Sequence, residues 1–129
     1  MFFKSALTKA KEEIRENFSS FLEKHDFIAH ADPKFEAVYK KFALLYRSPK
    51  LELMIGMRDD FYVLGRPVYA DEPWYSMSVV LAVAVGSSKP IACEKNSELA
   101  SLMEANYEGI EHFFSPSNEA VRKKSRTMQ

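Results

Sequence analysis

Leu51-Glu52-Leu53-Met54-Ile55-Gly56-Met57-Arg58-Asp59-Asp60-Phe61-Tyr62-Val63-Leu64 is the stretch whose reading decides the fold. Leu51, Leu53, Ile55 and Met57 alternate with Glu52, Met54, Gly56 and Arg58, the period of two that sends successive side chains to opposite faces of a strand. Asp59-Asp60 is turn chemistry, and Phe61 to Leu64 is a second strand-like run ended by Gly65 and Pro67. A connection this short holds no parallel crossover, so the two runs are antiparallel neighbours. Upstream, Ser48-Pro49-Lys50 is another break. Before it, 35–47 carries Val38, Tyr39, Phe42, Leu44, Leu45 and Tyr46 without Gly or Pro, and reads as a preceding strand. Phe27-Ile28-Ala29-His30-Ala31 stops at Asp32-Pro33 and reads as a short strand or extended entry. The centre is thus an antiparallel meander of three to four strands.

Helical periods flank it. Leu7, Ala10, Ile14, Phe18, Phe21 and Leu22 recur at steps of three and four, predicting an amphipathic helix over 5–24. Asp71-Glu72-Pro73 has the form of a helix entrance: a capping acid, a favourable dipole charge and an early proline. The apolar stretch 74–85 behind it, closed by Gly86, predicts a mostly buried helix, with strand as the alternative that its valines allow. A further helix runs from Asn96 or Ser97 to Phe114, and 118–124 supplies a last turn or two. The fold class is α+β, with the helices packed on one face of the sheet.

The chain has 129 residues with 18 basic and 18 acidic side chains. That length fits one domain over 1–121, followed by a polar basic tail over 122–129. With 47% hydrophobic and 13% aromatic residues it holds enough apolar surface for a core. One cysteine rules out a disulfide framework and a thiolate zinc site. Met1-Phe2-Phe3-Lys4 starts no signal sequence, and the longest apolar run, Val79 to Val85, is far below a membrane span, so the reading is cytoplasmic with no membrane partner.

Catalytic chemistry finds no foothold. His25, His30 and His112 lie apart, and a His30–Asp32 pair would have to recruit its third metal ligand from Asp26 or His112. Cys93 sits beside Glu94, which opposes thiolate formation. Asp59-Asp60 and Asp71-Glu72 are adjacent pairs whose members point apart on an extended chain. Four scattered glycines form no phosphate loop, so no catalytic residue, metal or cofactor is expected. The basic run Arg122-Lys123-Lys124-Ser125-Arg126 has no interleaved aromatics and reads as a solvated tail, and nucleic acid is not expected as a partner.

The neutral sum conceals a pattern. Residues 1–68 hold 12 bases and 10 acids, 69–121 hold two bases and eight acids, and 122–129 hold four bases, giving +2, −6 and +4. Glu104, Glu108 and Glu111 stand at i, i+4, i+7 on one helix face, with no Lys or Arg between Asn96 and Val121. Such like charges repel by a few tenths of a kcal/mol per pair. Solvation, or salt bridges to Lys40, Lys41 or Arg47, explains them blandly; an acidic surface that steers a basic protein partner explains them functionally. Asp71, Glu72 and the single Trp74 extend that candidate surface. A small-molecule pocket lined by Tyr39, Tyr46 and Tyr62, or a homodimer through a sheet edge or 79–85, are the competing readings.

A leading helix, Tyr46-Arg47-Ser48-Pro49, Leu51-Glu52-Leu53-Met54-Ile55, the Arg58-Asp59-Asp60 turn, Trp74-Tyr75-Ser76-Met77 and Phe113-Phe114 follow one another in an order that resembles small bacterial immunity proteins of contact-dependent and polymorphic toxin systems. The resemblance is one of layout across most of the chain. It implies a cytoplasmic, non-catalytic inhibitor that binds a cognate nuclease-like toxin domain; the chain itself is expected as a monomer or homodimer.

Overall fold

The two hairpins close in the register that the alternation requires. In a computed structural model, which describes residues 4–128, β2 (Ala43–Arg47), β3 (Leu51–Met57) and β4 (Phe61–Pro67) form an antiparallel meander. Leu53 lies between Tyr46 and Gly65, and Ile55 between Leu44 and Val63. β4 continues past Leu64 because Gly65 makes no turn: it lies under the Phe114 ring, where a Cβ would come 2.8 Å from Phe114 Cζ. Two-residue strands complete each side, β1 (Ile28–Ala29) beside β2 and β5 (Tyr75–Ser76) beside β4. The result is a five-stranded sheet in sequence order, slightly larger than the three to four strands expected. The Met1-Phe2-Phe3 start, read for a signal sequence, lies outside the described residues.

The stretch 35–47 is not one strand. Its first half belongs to α3 (Pro33–Tyr39), where the Asp32 side chain accepts the Lys34 amide at 2.9 Å and Pro33 takes the first turn. The dipeptide read as a stop is a helix start. Phe35 and Tyr39, one helical turn apart, bring their rings to 5.1 Å and cover a second sheet face with Leu45, Ala43 and Met54. Residues 51–56 are therefore buried on both faces, and the sheet is not covered on one side alone.

The larger core fills the other face: Leu51, Leu53, Ile55 and Val63 pack with Ile14, Phe18, Phe21, Leu81, Met103 and Phe113 from the helices. The N-terminal helix runs as α1 (Ala6–Glu13), a π-helical segment (Ile14–Phe18) and α2 (Ser19–Lys24), opened by the Ser5 side chain accepting the Thr8 amide. The wide π turn frees carbonyls that the Ser19 hydroxyl gathers, at 3.1 Å from both Ile14 and Arg15 oxygens.

Residues 71–73 cap no helix, because 75–76 pair with β4 first; α4 (Met77–Val85) begins after Ser76 and ends at left-handed Gly86, φ 76°. The next helix breaks at Asn106 into α5 (Asn96–Ala105) and α6 (Tyr107–Phe113). There the Asn106 amide group donates to Leu102 oxygen at 2.9 Å, satisfying an end carbonyl. α7 (Glu119–Ser125) passes straight through the expected solvated tail and carries Arg122, 0% exposed, into the interior. No helix among the described residues is long and apolar enough to cross a membrane.

Candidate functional site

Glu104, Glu108 and Glu111 stay on one side of the helix pair despite the break at Asn106, and all three line one shallow cleft. Their neighbours differ. Glu104 is bonded by Lys24 Nζ at 3.0 Å and by the His25 ring, and these two donors, His25 first, hold its carboxyl below the usual carboxylate range. His25 is itself clamped by Tyr107, whose ring stacks at 3.6 Å, so this end of the row serves to join α2 to α6. Glu111 takes Lys50 Nζ at 2.5 Å from the β2–β3 turn. Lys24 and Lys50 supply the counter-charges, and His25 a ring-nitrogen partner, in place of the Lys40, Lys41 and Arg47 that spacing suggested. Glu108 is exposed, and among the described residues no cation pairs with it.

Glu108 and Glu111 form a ridge between that cleft and a larger one of about 710 Å³. The larger cleft opens between the β2–β3 turn, the β4–β5 loop, α6 and residues 114–116. Val68, Pro49 and Pro116 make its sides apolar, the buried Phe114 its bottom, and Tyr69 one wall.

That wall is fastened from behind. Arg122 donates through Nε and Nη2 to the two Glu72 carboxylate oxygens at 3.0 and 2.9 Å. Its Nη1 donates to Phe113 and Ser115 carbonyls at 2.8 and 2.6 Å, and Nη2 also meets the Tyr69 hydroxyl. Tyr69 in turn donates to the Ser115 carbonyl at 3.2 Å. Tyr75 donates to Glu72 at 3.0 Å, and Arg126 donates to the Tyr75 hydroxyl at 3.1 Å. The Arg122 hydrogen bond is the main reason that the Glu72 carboxyl titrates lower than normal, against the opposing pull of burial. Burial disfavours the Arg122 charge too, but the bond and charge of Glu72 outweigh it. Glu72 is buried, and through Arg122 it is tied to Tyr69 and Ser115.

Asp71 is exposed in a neighbouring groove beside Arg47, Arg66 and Tyr69. Trp74 is half-buried against the second sheet face, with the Arg66 guanidinium 4.3 Å above its ring. Arg66 and Arg47 both donate to Glu52, which is 3% exposed. Of the six residues expected to share one surface, Glu108 and Glu111 line the large cleft, Glu104 and Asp71 flank it, Glu72 lies beneath it, and Trp74 faces elsewhere.

Tyr39 and Tyr62 lie on one sheet face and Tyr46 on the other, so the three line no common pocket. Among the described residues no three His, Cys, Asp or Glu side chains gather as metal ligands. Burial, followed by the charge of Glu98, raises the Cys93 thiol above its ordinary value. Of the 79–85 segment, Val79, Val80, Leu81 and Ala82 are core, while Val85 is exposed. The residues that sequence patterning missed are Lys50 and Arg122, brought to the site by a turn and a helix far apart in the chain. Comparison with family models, curated proteins and solved structures returns no match to this chain.

Proposed function

We propose that this chain is a non-catalytic protein-binding module that docks a basic partner on the Glu108–Glu111 ridge, and that it acts as a cytoplasmic immunity protein neutralising a nuclease-like toxin domain of a bacterial toxin system. The observation that carries the reading is Glu108: an exposed carboxylate, unpaired among the described residues, beside a large cleft with apolar sides. Such a surface draws in a cationic partner by its field and holds it by close charge pairs around an apolar centre. Asp71 and Glu104 lie in the grooves next to it, Glu104 already paired with Lys24 and Asp71 beside Arg47 and Arg66.

The test is isolation of the chain with its bound partner from its own host. The wild type is expected to carry one stoichiometric basic protein, which alone stops bacterial growth and together with the chain does not. Glu108→Lys with Glu111→Lys is expected to lose it, each reversal of a close charge pair costing several kcal/mol. A double variant that still carries the partner would remove the ridge from the mechanism. The cleft volume of about 710 Å³ also lies within the range of small-ligand sites, and favours a small amine as the second reading.

A further inference from the structure

We infer that Lys50 is a stand-in for the partner: the cleft takes a lysine or arginine side chain, whose cationic head replaces Lys50 at Glu111. This rests on the docking role of the ridge, and states which group of the partner enters and what it displaces.

Lys50 sits on the turn between β2 and β3, and its ammonium reaches 61 residues along the chain to Glu111 Oε2, at the mouth of the cleft. The lysine side chain is 68% exposed and the carboxylate 26%. A pair whose lysine is this open to water contributes little net stability, so Glu111 can change cations at small cost. Beyond the mouth, Val68 and Phe114 offer apolar surface and Tyr69 an aromatic wall.

A long basic side chain has the same two parts: methylenes that prefer apolar surface and a head that prefers carboxylates. Glu108 and Glu111 line the same cleft, so an entering head has two carboxylates to pair with, whereas Lys50 pairs with Glu111 alone. The incoming cation therefore gains a second carboxylate that the internal one does not use, and Lys50 moves into the solvent that already surrounds it. An anionic group would bring like charge to Glu108, and a neutral one would leave the Lys50 pair in place.

The test uses the full chain and three capped tripeptides, acetyl-Leu-X-Leu-amide with X arginine, lysine or the neutral arginine isostere citrulline. Binding is followed by amide chemical shifts of Val68, Tyr69, Glu111 and Ser115 at low salt. The arginine and lysine peptides are expected to shift these amides, and citrulline to lose about tenfold or more in affinity. Lys50→Met is expected to tighten the cationic peptides about two- to fivefold, the worth of one exposed ion pair. Lys89→Met, which removes the same charge from an exposed loop position, is expected to change them far less. Equal affinity in Lys50→Met and wild type would overturn the exchange while leaving the ridge as a cation-binding face. No cleft shifts with either cationic peptide, in wild type and Lys50→Met alike, would overturn both.

Discussion

The Arg122 guanidinium grips both carboxylate oxygens of Glu72, a residue 50 positions earlier, and neither side chain reaches far into water. Breaking one half of a buried pair costs more than the pair contributes, because the remaining charge stays desolvated. Arg122→Met is expected to destabilise the fold by about 3–5 kcal/mol in urea unfolding. Arg122→Lys should recover little, since an ammonium cannot span two carboxylate oxygens and two carbonyls as the planar fork does. A stability equal to wild type in Arg122→Lys would show that only the charge matters.

Acid should weaken this pair only at low pH. Glu72 and Glu104 both titrate below the ordinary carboxylate value in the folded chain. A depressed folded pKa means that the unfolded state binds more protons in this window, so stability rises with pH through it. Their contribution is complete above the ordinary glutamate range near 4.5 and is lost as pH falls through the lower folded values. Unfolding free energies between pH 7 and pH 3 are expected to fall less steeply in Glu104→Gln than in wild type, and identical slopes would contradict the assignment.

Two glycines are expected to respond differently to a single methyl group. At Gly86 nothing lies within 4 Å, and alanine meets only the cost of the left-handed backbone, about 1 kcal/mol. At Gly65 the methyl meets the buried Phe114 ring, so Gly65→Ala should cost about 1–3 kcal/mol by overpacking. Phe114→Leu in the same molecule is expected to relieve part of that cost, a coupling that a double-mutant cycle reads directly.

Trp74, the only tryptophan, reports on the second sheet face. Arg66→Gln removes the cation above its ring and one donor to the buried Glu52, and should shift its emission while costing about 1–3 kcal/mol. Arg47→Gln touches the same carboxylate but not the ring, and should leave the emission unchanged. A shift of equal size in both variants would mean that the ring senses Glu52 and not Arg66.

What could be read beforehand follows from the range of the forces involved. Leu51 to Val63 announced two strands and a turn because alternation and short connections are local. Phe35 to Tyr46 looked uniform because aromatic and β-branched residues suit strands, yet a capping Asp32 and Pro33 outweighed that preference and made a helix of the first part. The carboxylate row was visible as a helical spacing, but its counter-charges were not, since Lys24 and Lys50 approach Glu104 and Glu111 only through tertiary packing. Arg122 was hidden most completely. In a run of four cations nothing local marks the one that turns inward; the buried carboxylate that receives it lies 50 positions away on a loop.

The sheet order also has a consequence in time. β2, β3 and β4 are joined through residues 48–50 and 58–60, so their pairing closes loops of minimal entropy and is expected early in folding. The Glu72–Arg122 clasp closes across 50 positions and forms only when α7 arrives. Interactions made after the barrier leave the folding rate alone and set how slowly the native state opens. Arg122 should accordingly govern the lifetime of the folded protein, and the hairpins the speed at which it is reached.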